Sequence, residues 1–329
     1  MHSPPRIAVV PSPVKRHAGP QITTLAGMAG IHLDEAQQYV AKVTSGVGAD
    51  DKWAAFEAVI FAPRQNLKTE YLLARILAGL FLFREELIVF SAHRANTTTK
   101  VFRRLIRAID RSPELGSRIV RVSKRIGSES IELDTGQAVE MVARSTSSGR
   151  GFTGDTVILD EAHDLDADQL AAILPMVSTR RNPQILYALS FGNEFTSHVG
   201  GLRERALDGK PGVCWVEWSM ADDDDVADRA VWARCNPAYP ARIPMAYLEK
   251  EFRALGPERF ARERLGKSEW PSGEPGTWQI ISEDLWERAR GDDVSLVDAV
   301  PAPAVVPVVR PADWETWPDG IPPWVQRAG

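Results

Sequence analysis

The eight residues Thr156-Val157-Ile158-Leu159-Asp160-Glu161-Ala162-His163 constrain the fold more than any other stretch of this chain. An aliphatic run ends in two adjacent carboxylates. A strand that is apolar on both faces belongs in the middle of a parallel sheet covered by helices. The two acids then stand at the carboxyl edge, where open α/β sheets bind their ligands. In a phosphate-binding ATPase, Asp160 would hold Mg²⁺ and Glu161 would orient or deprotonate the attacking water. The same spelling fits a strand running into an acidic helix cap, because Asp164, Asp166 and Asp168 follow. A phosphate cradle upstream separates the two readings.

Ala62-Pro63-Arg64-Gln65-Asn66-Leu67-Lys68-Thr69 has the eight-residue frame of such a cradle. Val59-Ile60-Phe61 predicts a strand before it, and the run from Tyr71 to Leu80 predicts a buried helix after it. In that context backbone N–H groups and the positive helix end receive phosphates. Lys68 meets the β and γ charges and the Thr69 hydroxyl reaches Mg²⁺. Ala62 and Leu67, however, occupy the two positions where the motif carries glycine. A bulky residue before the lysine disfavours positive φ, so either the loop follows a different path or nucleotide binding is weakened. A chance Lys-Thr pair at a helix start is the competing explanation.

Further strands are predicted at Leu87–Ala92, followed by the turn His93–Asn96 and a helix to about Asp110, and at Gln184–Ser190. Strands alternating with helices, with polar residues at their carboxyl ends, describe a doubly wound α/β domain with a parallel sheet.

Pro63-Arg64-Gln65-Asn66-Leu67-Lys68-Thr69, the strand end Ser91-Ala92-His93-Arg94, and Ser148-Gly149-Arg150-Gly151 ahead of Val157–His163 together resemble the large terminase subunit of tailed bacteriophages. The resemblance covers roughly residues 20–290 in order and spacing. It implies a RecA-like P-loop NTPase sheet with helices on both faces and a small helical lid. It also implies ATP and Mg²⁺ as cofactors, and a phosphate loop that departs from the glycine-rich form. Residues 63–69 would then bind ATP, with Thr69 and Asp160 on the metal and Glu161 as the catalytic residue that activates the attacking water. Gln37, in Leu33-Asp34-Glu35-Ala36-Gln37, matches the adenine-reading glutamine, with Gln38 as a competitor. Arg64 would sense the γ-phosphate. Arg150 matches the position from which the family supplies an arginine finger to the neighbouring subunit. Ser190-Phe191-Gly192-Asn193 falls at the coupling motif, so Ser190 and Asn193 are its candidates, although the segment departs from the usual Thr/Ser-rich form. The implied partners are double-stranded DNA, a portal protein, a small terminase subunit and further copies in a ring, in the cytoplasm of a bacterial host.

The 329 residues, 44% hydrophobic and 25% charged, suit one large α/β domain with appendages. No apolar run is long enough to cross a bilayer, and Cys214 and Cys235 make no disulfide framework. His and Cys show no metal-ligand spacing, and His163 is expected to pack or cap. A net charge of −5 leaves DNA contact to local patches, foremost Arg103, Arg104, Arg107, Arg111, Arg118, Arg121, Lys124 and Arg125. A solvated basic face is the alternative. Residues 1–20, with Pro4, Pro5, Pro11 and Pro13, read as a disordered or extended arm. Residues 21–218 read as the ATPase core and 219–290 as lid and linker, with Tyr247, Leu248, Phe252, Phe260 and Leu265 as apolar anchors. Asp222–Asp225 read as a solvated loop. Residues 291–329 read as a proline-rich tail, truncated where a nuclease domain would begin, so nuclease activity is expected to be absent.

Two other functions compete with a packaging ATPase. A degenerate prophage remnant could bind only nucleotide or a protein partner; Leu67 favours this, whereas the survival of Lys68, Thr69, Asp160 and Glu161 opposes it. Residues 160–163 also spell the DEAH helicase motif, but residues 219–329 offer neither a second alternating α/β set nor a Gln-x-x-Gly-Arg-x-x-Arg run.

Overall fold

Residues 3–144, 153–165, 167–192 and 197–270 are described by the structure, a computed structural model. The chain opens with β1 (Ile7–Val9), β2 (Arg16–His17), α1 (Gly19–Met28), α2 (Glu35–Thr44) and β3 (Gly46–Val47). Then β4 (Glu57–Phe61) and α3 (Lys68–Ala78) bracket the loop of residues 62–67, followed by β5 (Leu87–Ala92), α4 (Ala95–Asp110) and α5 (Pro113–Gly116). Next come β6 (Ile119–Ser123), β7 (Ser128–Leu133), β8 (Ala138–Ala143), β9 (Thr156–Asp160) and α6 (Ala167–Val177). Finally come β10 (Gln184–Leu189), α7 (Ser197–Leu207), β11 (Val213–Glu217), α8 (Arg229–Cys235) and α9 (Met245–Leu265).

Nine strands form one sheet in the order β1-β11-β4-β10-β9-β5-β8-β7-β6. From β11 to β8 all neighbours are parallel, whereas β1 at one edge and the β6–β7 hairpin at the other pair antiparallel. The period-two alternation of a strand divides its apolar residues between two cores. Ala58 and Ile60, Ile158, and Leu186 and Ala188 join the core built by α1 to α4. Val59 and Phe61, Val157 and Leu159, and Ile185, Tyr187 and Leu189 join the core under α6 and α7. Both faces are therefore covered, which is why β4, β9, β10 and β11 are buried along their whole length.

The arm reading of the first twenty residues is corrected in its disordered form. Ile7–Val9 add an edge strand to β11, α1 already begins at Gly19, and the Trp218 indole donates to the Ser3 carbonyl at 2.9 Å. An edge strand tolerates the neighbouring prolines because one side of it makes no ladder. Its partner lies at the far end of the core in sequence, so no local signal announced it.

Beyond β11 a third, smaller core gathers Trp232, Leu248, Phe260 and Leu265, with Phe252 packed against it. Trp232, Phe252 and Phe260 lie with ring centroids 4.9–5.2 Å apart. Tyr247, expected as an anchor, is 46% exposed. Helix α9 is broken at Gly256 (φ 74°, ψ 167°), ahead of Pro257, and its second half turns towards Arg64 and Gln65 of the loop after β4. Pro cannot continue the hydrogen-bond ladder, and only Gly takes that backbone conformation readily. The residues from 271 onward, including the proline-rich tail, lie outside the described residues.

One buried ion pair ties α3 to the sheet. The Arg75 guanidinium donates to both Glu85 carboxylate oxygens (2.6 and 3.0 Å), to Thr156 on β9 (2.9 Å) and to Gln184 on β10 (3.3 Å). Trp53 and Phe83 each place a ring centroid 5.3 Å from it. Removing one partner of such a pair leaves an uncompensated buried charge. Glu85→Ala is therefore expected to lose about 3–5 kcal/mol of stability in urea denaturation, and Arg75→Met combined with Glu85→Leu to recover most of it.

Candidate functional site

Residues 62–67 leave the carboxyl end of β4, which lies between β11 and β10. The Ala62 N–H donates to the Leu189 carbonyl at 3.1 Å and the Trp218 N–H to Phe61 at 2.9 Å. Left-handed backbone is needed in this loop, but at Gln65 (φ 59°), two residues before Leu67. Leu67 itself has φ −144° and is 2% exposed, its side chain part of the core beneath α1 to α4. The position expected to disfavour positive φ therefore does not adopt it. The exposed Gln65 carries the strain, and the bulky leucine anchors the loop from below.

Lys68 starts α3 and folds its side chain back under the loop. Its ammonium donates to the Ala62 carbonyl, to Pro63 at 3.2 Å and to the Ser190 hydroxyl at 2.9 Å. Burial pulls its pKa down to about 8; Asp160 and Glu161 oppose the shift and Arg64 adds to it. Asp160 ends β9, one strand beyond β10, in register with Ala188. Burial pushes its carboxyl above the usual range, and repulsion from Glu161 adds to this, while the Lys68 charge and the Glu161 N–H (3.0 Å) oppose it. Lysine and carboxylate thus converge on one edge, as the spelling of the two segments requires.

Glu161 sits in the left-handed region (φ 54°, ψ 47°). For a residue with a Cβ this costs on the order of 1–3 kcal/mol and persists only where surroundings impose it. Arg144, directly after β8, is one such constraint. Its guanidinium donates to the carbonyls of Asp160 (2.7 Å), Ser91 (3.3 Å) and Glu161 (3.4 Å). Sequence reasoning missed Arg144; an arginine closing an apolar strand was the signal available.

Ser190 and Phe191 carry the end of β10 towards α9. Phe191 lies 4.3 Å from the His163 ring, and the Arg262 guanidinium of α9 stands 4.2 Å over its other side. The Gly192 N–H donates to Ser268 at 2.7 Å, and any Cβ at Gly192 would run into the Trp270 ring. His163 packs, as expected. Among the described residues no group of His, Cys, Asp and Glu gathers in a metal-binding cluster.

The segment that carries the third core also bonds the loop directly. Asn66 is 1% exposed: its amide donates to the Asn236 side chain at 2.9 Å and accepts from the Ala238 N–H at 3.0 Å. Arg264 donates to the Arg64 carbonyl at 2.9 Å while gripping Glu251. The Arg64 side chain pairs with Glu263 on α9, at 2.9 Å. A cleft of about 470 Å³ opens between Arg64 and Gln65 on one side and Leu255, Arg259 and Arg262 on the other. Asn236 and Arg264 carried no local signal in the sequence.

The other expected residues fall as follows. Pro63 is buried in the loop and Thr69 is half-buried in the first turn of α3. Gln37 is 2% exposed and both ends of its amide are engaged: the oxygen accepts from the Asp34 N–H (2.9 Å) and the nitrogen donates to the Leu67 carbonyl (3.2 Å). In this arrangement it braces the loop, and reading an adenine would require it to break those bonds. Gln38 donates to the Leu33 carbonyl at 2.8 Å. Arg150 and Asn193 lie outside the described residues. The basic run divides between α4 and the β6–β7 hairpin, with Arg104 paired to Glu70 and Arg118 to Asp134. No described helix is long and apolar enough to cross a membrane.

Because the folded Lys68 amine loses its proton near pH 8 and the unfolded one near 10.5, the unfolded state binds more protons between those values. Stability must then rise with pH across that window. The denaturation midpoint of the native chain is expected to gain on that of Lys68→Met between pH 8 and 10.5; parallel pH profiles for the two would contradict this burial.

No protein-family model and no curated protein sequence matches this chain. Among solved structures it is similar to the large terminase of bacteriophage HK97, with 19% identity and a TM-score of 0.64 over 77% of this chain. It spans only 55% of that protein's length. It is also similar to the large terminase ATPase domain of Thermus phage P74-26, at 17% identity and a TM-score of 0.51, covering 73% of this chain and 95% of that one. The described residues have the fold of a phage large-terminase ATPase domain.

Proposed function

We propose that this chain is the ATP-hydrolysing part of a phage DNA-packaging motor, with ATP bound between residues 62–69 and Asp160. The observation that carries the reading is the Lys68 ammonium. It is half-buried, held by two carbonyls and a hydroxyl, and close enough to Asp160 for each to shift the other's proton affinity. A desolvated amine short of a full counter-charge is what a polyphosphate would satisfy. The neighbouring α3 N-terminus adds the partial positive charge of its free N–H groups.

The residues also fit Mg²⁺. Nucleotide-bound Mg²⁺ keeps several waters and needs one or two protein oxygens, not a protein cage. Thr69 and Asp160 would supply them, and the raised proton affinity of Asp160 records a buried carboxylate with too little positive charge around it. When bound, the ion would neutralise developing phosphate charge. Lys68 then exchanges its carbonyl partners for phosphate oxygens, and Ser190, released from the amine, reports the change to Phe191. Glu161 orients the attacking water from a backbone position that Arg144 holds in place. Arg64 must leave Glu263 to reach a γ-phosphate, so phosphate sensing would loosen one of the lid's contacts. Arg150 of a neighbouring subunit would stabilise the charge that develops, leaving an isolated chain a poor ATPase. Double-stranded DNA, a portal protein and a small terminase subunit are the partners such a motor would serve.

Calorimetry with ATP and Mg²⁺, together with phosphate release at high protein concentration, tests this. Lys68→Ala is expected to lose measurable binding. Glu161→Gln is expected to bind as the native chain does and to hydrolyse roughly 10²–10⁴ times more slowly. Unchanged hydrolysis by Glu161→Gln removes the catalytic assignment; no binding by the native chain leaves a partner-binding module instead.

A further inference from the structure

Gln37 stands in the first turn of α2, but its amide is spent inside the protein. The oxygen accepts from the Asp34 N–H at 2.9 Å, and the Gln37 N–H donates to the Asp34 carboxylate at 2.9 Å, which closes a capping box. The amide nitrogen donates to the Leu67 carbonyl at 3.2 Å. Leu67 is the N-cap of α3 and brings no side-chain cap of its own; its carbonyl also takes the Tyr71 N–H at 3.5 Å. Gln37 therefore holds, from outside, the helix end on which Lys68 and Thr69 stand. Thr44 and the Tyr71 hydroxyl, 2.6 Å apart, join the same two helices a second time.

Reading an adenine edge takes both ends of an amide side by side, the oxygen for the exocyclic amine and the nitrogen for a ring nitrogen. In Gln37 the two ends are committed to two different segments, and the residue is 2% exposed. Turning it to a base would strip a helix-start N–H and the Leu67 carbonyl of this partner at once. The polar groups beside it are committed as well. Asp34 gives its other oxygen to Arg242, between α8 and α9, at 3.1 Å from Nε, and Gln38 donates to the Leu33 carbonyl at 2.8 Å.

We infer that Gln37 is a positioning residue for the start of α3, and that the site selects its substrate by the triphosphate, accepting nucleoside triphosphates whatever their base. The inference rests on the reading that this chain binds nucleotide between residues 62–69 and Asp160. The groups argued for that binding are Lys68, Thr69, Asp160 and the α3 N-terminus. All of them address phosphates or their metal, so none tells one base from another.

Calorimetry of the full chain with ATP, GTP and CTP, each with Mg²⁺, tests it. The three dissociation constants are expected to agree within about threefold, whereas a site built to hydrogen-bond its substrate discriminates by up to about 10⁴–10⁵. Gln37→Glu keeps the capping box, where glutamate serves as well as glutamine, but has no N–H for the Leu67 carbonyl. Gln37→Met, neutral and of similar length, separates the lost bond from the added charge. Both variants should weaken all three nucleotides by a common factor of about tenfold, because the helix end loses preorganisation. Thermal melts of both check that the fold is kept. ATP bound about tenfold or more tighter than GTP and CTP overturns the inference and leaves the nucleotide reading standing. Variants that lose ATP and GTP but keep CTP overturn it equally, since the amide would then read purines by flipping over. Affinities untouched in both variants remove the positioning role. Binding of none of the three fails the nucleotide reading itself, and the inference with it.

Discussion

Lys68 bridges two strand ends, donating to carbonyls just past β4 and to the hydroxyl of Ser190 just past β10, while Asp160 acts on it from the end of β9. Three adjacent strands are thereby referred to a single ammonium. Burial makes that charge costly, and its three donors are met by neutral acceptors, two carbonyls and a hydroxyl. Because β10 lies between the loop strand and the acid strand, neither can shift without altering the contact at Ser190. The rest of the site is arranged about this constraint.

Strain is placed at the same edge. Gln65 and Glu161, one in the loop and one after the acid strand, both adopt left-handed backbone without being glycine. Both are held by partners further along the chain. Gln65 lies between Arg64 and Asn66, which Arg264 and Asn236 pin to the lid, and Glu161 has its carbonyl bonded to Arg144. Such positions store conformational energy that a ligand can redirect. In the loop after β4 the left-handed turn falls on the exposed Gln65, and Leu67 is part of the core.

The lid touches the site through polar atoms, not through its hydrophobic core. Trp232, Phe252 and Phe260 close on one another, whereas Asn236, Arg262, Glu263 and Arg264 reach the loop and the end of β10. This small unit with its own core is joined to the sheet by those hydrogen bonds, by Arg262 over the Phe191 ring and by the Trp270 ring against Phe61 and Trp215. The sheet beneath is pinned more firmly: the Arg75–Glu85 pair with Thr156 and Gln184 fixes α3 against β9 and β10.

Much of the sheet was legible in the sequence, because β4, β5, β9 and β10 are buried runs whose apolar residues announce them without help from partners. Lys68, Ser190, Asp160 and Glu161 were legible for a related reason: each stands where an apolar run meets polar residues, so its place at the carboxyl edge follows from chain direction alone. The edge strand β1, the bracing role of Gln37 and the clamp from Asn236 and Arg264 were not, since each depends on a partner far away in sequence. The sequence by itself therefore determined which residues end strands and what chemistry they can offer. Tertiary structure decided which of those ends are neighbours, that Gln65 and not Leu67 takes the left-handed turn, and that Arg144 holds Glu161, because strand order and long-range hydrogen bonds are set by packing and not by local pattern.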